Sequence, residues 1–122
     1  MKLTAFTASV VLVGAATLTG LSGSPAQAAV NCNWTPGNGG LQSGYGYFTD
    51  KYNGYNFYKG PASSCATTGQ TVPKWTDFSI GCEWRASSTS AMWYYVIDRD
   101  SGKKGWVSGG NIVVQRIDGT WC

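Results

Sequence analysis

The stretch Trp93-Tyr94-Tyr95-Val96-Ile97-Asp98-Arg99-Asp100-Ser101-Gly102-Lys103-Lys104-Gly105-Trp106-Val107-Ser108 constrains this chain more than any other. It reads as a strand, a tight polar turn and a short returning strand. From Met92 to Asp98, Tyr94 and Val96 point to one side, while Trp93, Tyr95 and Ile97 point to the other. Both sides are apolar. A strand with one face in water normally carries polar residues on that face, so at least one side here serves something beyond an ordinary core.

Other runs have the same character. Tyr55 to Tyr58 makes a short strand ended by Gly60-Pro61, and Ser63 to Gly69 is loop. Thr71-Val72 is a brief strand before Pro73. Phe78 to Trp84 alternates, which places Phe78, Ile80, Cys82 and Trp84 on one face. Ala86 to Ala91 is a Ser/Thr loop, and Arg99 to Lys104 a polar turn leading to Gly105-Trp106-Val107 and then Asn111 to Val114. Apolar residues nowhere sustain the 3.6-residue period of a helix. The expected class is all-β, a small barrel or sandwich. Residues 33–56 are rich in Gly, Tyr and Asn. Gly44-Tyr45-Gly46-Tyr47-Phe48 has strand character weakened by its glycines. Residues 29–54 are therefore expected to form an N-terminal extension packed on the domain, and residues 115–122 a C-terminal tail.

The first 28 residues read as an export signal: Lys2, an apolar run from Leu3 to Leu21, then Pro25 before the small-x-small site Ala26-Gln27-Ala28. No cationic stop follows, which argues against a transmembrane anchor and leaves no membrane segment after removal. All four cysteines, Cys32, Cys65, Cys82 and Cys122, lie beyond that segment. An even number in a short exported chain points to two disulfides. Zinc is disfavoured because the chain has no histidine and no Cys-x-x-Cys pair. Four cysteines allow about three pairings. The expected one is Cys65–Cys82, joining a loop to a nearby strand, with Cys32–Cys122 tying the chain ends. Such a protein belongs outside the cell, free or associated with the cell wall.

Charge selects few partners. The formal net charge is +3 and no basic cluster exceeds Lys103-Lys104, so a nucleic-acid surface is not expected. Without histidine the commonest general base is missing, with every Ser-His or Cys-His pair. Asp98 and Asp100 read as turn-shaping residues, not as the paired carboxylates of a glycosidase. Asp98 to Gly102 lacks the third oxygen ligand and the bidentate Glu of a calcium loop. No metal, cofactor or catalysis is expected. Aromatic residues are informative instead. Six Trp and seven Tyr are more than a small β domain holds comfortably inside, and exposed rings mark recognition surfaces. The candidate binding residues are Tyr58, Trp75, Trp84, Trp93, Tyr95 and Trp106. If Val107 points inward, Trp106 must point out or into a groove, and Trp93 follows the same logic against Tyr94 and Val96.

Residues 55–114 resemble a bacterial SH3-like (SH3b) domain. Asn56, Gly60 and Pro61 of Tyr55-Asn56-Phe57-Tyr58-Lys59-Gly60-Pro61 match the family's Val-Asn-Val-Arg-Ser-Gly-Pro segment. Gly69 and Lys74-Trp75-Thr76-Asp77 fall where it has a Gly and a polar Lys-Gly-type turn. Trp93-Tyr94-Tyr95-Val96 resembles its Trp-Tyr-x-Val strand, and Gly105-Trp106-Val107-Ser108-Gly109 its closing Gly-Trp-Val-x-Gly motif. Tyr58 stands where Arg is typical, so the ligand does not carry over. The resemblance implies a half-open barrel and, as in some members, recognition of peptidoglycan or peptide. The leading expectation is thus a secreted, monomeric, non-catalytic module binding cell-wall material through an aromatic groove. The alternative is a secreted effector, an inhibitor or antimicrobial, acting on another protein. A small hydrolase using carboxylates is the weakest reading. Cross-links matter in so short a chain, each adding about 3–4 kcal/mol, so reductant should lower the melting temperature markedly in a calorimetric scan. An unchanged melt would show the bridges absent or idle.

Overall fold

A computed structural model describes residues 30–37 and 43–122; the expected export segment, residues 1–28, lies outside the described residues. The described chain is all-β. Its strands are β1 (Gly44–Phe48), β2 (Gly54–Tyr58), β3 (Thr67–Pro73), β4 (Asp77–Trp84), β5 (Trp93–Ile97), β6 (Lys104–Ser108) and β7 (Ile112–Ile117), with a single 3₁₀ turn at Gly109–Asn111. They form one antiparallel sheet in the order β3-β2-β6-β5-β4-β1-β7. The sheet is not closed: β3 and β7 are its two edges.

The expected strands all form, most of them longer than expected. The placement of residues 29–54 as an extension needs correction, because β1 lies inside the sheet between β4 and β7. Its glycines explain both the weak sequence signal and the position. A Cβ on Gly44 would fall 2.1 Å from the Arg116 carbonyl oxygen, and one on Gly46 2.2 Å from that of Val113. Only glycine lets β1 and β7 approach so closely. Residues 115–117 likewise belong to β7, not to a tail.

The curled sheet has two apolar faces. Phe48, Tyr55, Phe57, Val72, Phe78, Ile80, Val96, Val107 and Ile112 fill the concave side, with Tyr94, Val114 and Ile117 against them. Strand alternation sends Tyr58, Trp93, Tyr95 and Trp106 to the other side. There Trp93, Tyr95 and Trp106 join Cys82 in a second buried cluster. Cys82 reaches that side through a bulge. Ile80 pairs with Val96 but Cys82 with Tyr95, so Gly81 is the extra residue. The four residues Phe78, Ile80, Cys82 and Trp84, expected on one face, are therefore split between two: Phe78 and Ile80 in the first cluster, Cys82 and Trp84 at the second.

Two chain segments cover this outer cluster, and the disulfides fasten both. The bridges are Cys32–Cys65 and Cys82–Cys122, which corrects the expected Cys65–Cys82 and Cys32–Cys122. Each covering segment has its own bridge: Cys32 is tied to the loop after β2 and Cys122 to β4. Residues 30–37 lie across β6, with Trp34 N–H donating to the Lys59 carbonyl at 3.2 Å and Trp106 Nε1–H donating to the Trp34 carbonyl at 2.7 Å. A Cβ on Gly60 would lie 2.5 Å from the Asn31 carbonyl oxygen and 2.9 Å from Cys65 Sγ, so Gly60 makes room for this crossing. At the other end, Glu83 N–H donates to the Thr120 carbonyl at 2.9 Å and Cys122 N–H to the Glu83 carbonyl at 3.0 Å.

Trp34 is the lid residue. Its ring lies 5.0 Å from Trp106 and meets Trp84 edge-on at 5.8 Å. Trp34→Ala should cost about 3 kcal/mol in urea denaturation, with a red shift of the native tryptophan emission as water reaches Trp106. An unshifted spectrum and an unchanged midpoint would contradict this role.

Candidate functional site

The aromatic residues proposed from sequence do not share one environment. Trp106 is 0% and Trp93 9% exposed, and Tyr95 is buried with them. Strand parity does turn them away from the concave core, as Val107 inward requires. The expectation that Trp106 and Trp93 therefore face solvent is corrected, because Trp34 and the Cys82–Cys122 bridge close over them. Trp106 lines neither of the two clefts described below and packs edge-on against Tyr95 at 5.5 Å. Trp75 lies apart, 54% exposed in the turn between β3 and β4.

Two clefts open along the seams between the sheet and its covers. One cleft, of about 520 Å³, is framed by Trp34, Thr35, Tyr58, Lys59, Gln70, Tyr95 and Lys104. A second, of about 440 Å³, is walled by Tyr58, Trp84 and Trp93 with small residues Ala62, Ser63, Ala86 and Ala91. Tyr58 is common to both. Its ring meets Trp93 edge-on at 5.5 Å, and it sits at the end of β2 opposite Trp106. Of the six proposed residues, Tyr58, Trp84, Trp93 and Tyr95 thus reach the clefts, whereas Trp106 and Trp75 do not.

The chemistry of the two clefts differs. The first is polar and cationic. Among the described residues the ammonium groups of Lys59 and Lys104 have no ion pair or hydrogen-bond acceptor, whereas neighbouring Lys103 Nζ donates to the Thr71 carbonyl at 2.8 Å. No Asp or Glu lines either cleft among the described residues. Asp77, Asp98 and Asp100 line a separate, smaller cleft of about 170 Å³. Asp98 is buried and accepts from Asp100 N–H at 3.1 Å and Ser101 Oγ–H at 2.7 Å, shaping the β5–β6 turn.

Trp34, Lys59 and Lys104, which line the first cleft, are not among the residues expected from sequence. The available sign was positional: Trp34 follows Cys32 by two residues, so whatever bridge Cys32 makes carries that indole onto the sheet. Comparison with protein-family models, curated proteins and solved structures gives no match.

Two tyrosines of β5, Tyr94 against the inner cluster and Tyr95 in the outer one, hold their protons above the ordinary value of 10.0. Burial is the main cause for Tyr94, reinforced by the negative Glu83. For Tyr95, burial outweighs the opposing hydrogen bond from the Thr35 side chain. In the unfolded chain both ionise near their ordinary value, so stability is intact below about pH 10 and falls as pH rises through the higher folded-state values. Tyr95→Phe should flatten this alkaline fall in pH-dependent urea denaturation. An identical slope in the variant would contradict the burial of the phenol.

Proposed function

We propose that this protein is a secreted, non-catalytic binding module for bacterial cell-wall peptide material, held in the two clefts that meet at Tyr58. The observation that carries this reading is the pairing of an acid-free cationic cleft with an aromatic cleft of small-residue walls. Lys59 and Lys104 suit a free carboxylate. The Trp84, Trp93 and Tyr58 rings suit short apolar side chains and a peptide backbone. Wall stem peptides combine both features, being rich in alanine and ending in carboxylates. The resemblance of residues 55–114 to SH3-like domains supports the same assignment of fold and role. Two disulfides suit an oxidising, extracellular setting.

The lining residues of the two clefts support a reading of binding without turnover. Neither cleft brings an Asp or Glu to a position where it would serve as general acid or base, and the chain contains no histidine. Recognition would rest on few groups: a buried-edge aromatic at the cleft junction and a charge at one end.

Titration of soluble muropeptides into the protein, followed by calorimetry, tests this. Tyr58→Ala and Trp84→Ala should each weaken binding about 30-fold, equivalent to about 2 kcal/mol, with the muropeptides recovered intact. No retention on walls or muropeptides from any source, together with co-elution with an extracellular protein, would replace this reading by that of a protein-directed effector.

A further inference from the structure

Trp75 occupies a backbone position that suits almost any residue less well than glycine. It is the only non-glycine with positive φ among the described residues, at +67°. Thr76 N–H and Oγ–H both donate to the Pro73 carbonyl, at 3.4 and 2.7 Å. Trp75 is therefore the third residue of a four-residue turn, the place where a positive φ ordinarily selects Gly or Asn. A bulky side chain there is strained. Packing does not repay that strain, since the indole is 54% exposed.

The backbone holds this exposed ring in a fixed place. Trp75 N–H donates to the Phe48 carbonyl at 3.0 Å, Phe48 N–H to the Thr76 carbonyl at 3.0 Å, and Lys74 N–H to the Asn53 carbonyl at 3.2 Å. The turn is thus locked to the end of β1. The indole lies 6.0 Å from the Tyr47 ring, tilted by 40°. Tyr47 and Tyr45 are two apart on β1 and share a face. Val113 stands beside Tyr47 on β7. Tyr45 is 43% and Val113 37% exposed. Together these residues make an open aromatic strip, separate from the clefts at Tyr58.

We propose that this strip is a second binding surface and that its occupant is an uncharged, extended glycan strand. Two observations select that class. Trp75, Tyr47 and Val113 line none of the best-formed clefts among the described residues, and Tyr45 borders only a small one of about 210 Å³ with Gly44, Arg116 and Asp118 at the strip's end, so the strip as a whole offers a platform for a flat ligand face, not the pocket that an anchoring side chain of a protein partner needs. Its charges also balance, with Lys74 in the turn and Arg116 on β7 offsetting Asp77 and Asp118. Asp77 stands opposite Tyr47, Arg116 opposite Tyr45, and Arg116 Nε is paired with Asp118 at 3.4 Å. A charged polymer finds no complementary field here. The C–H faces of pyranose rings stack on tyrosine and indole rings, and the Asp77, Arg116 and Thr76 side chains at the margins offer partners for sugar hydroxyls.

The test is adsorption of the whole protein to insoluble chitin, to cellulose and to insoluble β-1,3-glucan, alongside thermal melting. The wild-type protein should adsorb to at least one of these. Trp75→Gly should weaken adsorption at least about tenfold, while melting no lower than wild type because the turn strain is relieved. Trp75→Asn, which keeps the turn, should behave likewise. Muropeptide binding at the Tyr58 clefts should be unchanged in both variants, so that failure here and failure of the cleft assignment are told apart. Full adsorption by the glycine variant would overturn the proposal, as would a wild-type protein that binds none of the three polymers. A lower melting temperature in both variants would overturn it too, by making Trp75 a structural residue. So would wild-type dimers that dissociate on the same substitutions, by making the strip a self-contact.

Discussion

The hydrogen bond from the Trp106 indole to the Trp34 carbonyl, 2.7 Å long, marks the constraint on which the rest of the molecule depends. A small curled sheet has one concave side to fill and one convex side to wet. Here the convex side of β5 and β6 carries Trp93, Tyr95 and Trp106, too much apolar surface to leave in water. The chain resolves this by folding its own ends over that side. Indole burial demands a partner for its N–H, and a backbone carbonyl of the covering segment supplies it. The cover is short and has no regular structure of its own, so it needs fastening. Each disulfide secures one end segment: Cys32–Cys65 the first and Cys82–Cys122 the second.

The clefts are a consequence of that arrangement. A cover made of separate pieces leaves seams where it meets the sheet, and the seams run past the margins of the buried aromatic cluster. Rings that are core on one side become walls on the other. Trp93 is packed in the cluster yet edges the second cleft. Tyr58 packs on the same cluster and separates the two openings. Cleft position is thus tied to the bridges, and any ligand held there would lie against residues that the covers order.

Much of the architecture was legible because strand alternation is a local property. The two-faced β5, the inward Val107 and the outward Trp106 all follow from neighbour parity. Three things were not legible, each for a non-local reason. The bulge at Gly81 switches the face of β4, and only pairing with β5 reveals it. The glycines of β1 read as a weakened strand in isolation, whereas next to β7 they are what permits the contact. Bridge connectivity depends on where the two ends travel, which spacing does not encode. The error about Trp106 has the same root. Parity gives the direction in which a side chain points, but exposure depends on what distant segment lies on top.

The most direct measurement is hydrogen exchange of the Trp106 Nε1–H by NMR in the oxidised protein, with the Trp75 indole as an exposed internal reference. Sealed beneath the stapled segment and hydrogen-bonded to Trp34, the Trp106 proton should exchange as slowly as the interior amides of β5 and β6, and should accelerate strongly once the Cys32–Cys65 bridge is reduced. Exchange at the rate of Trp75 in the oxidised protein would show that the outer face is open and that the second core does not exist.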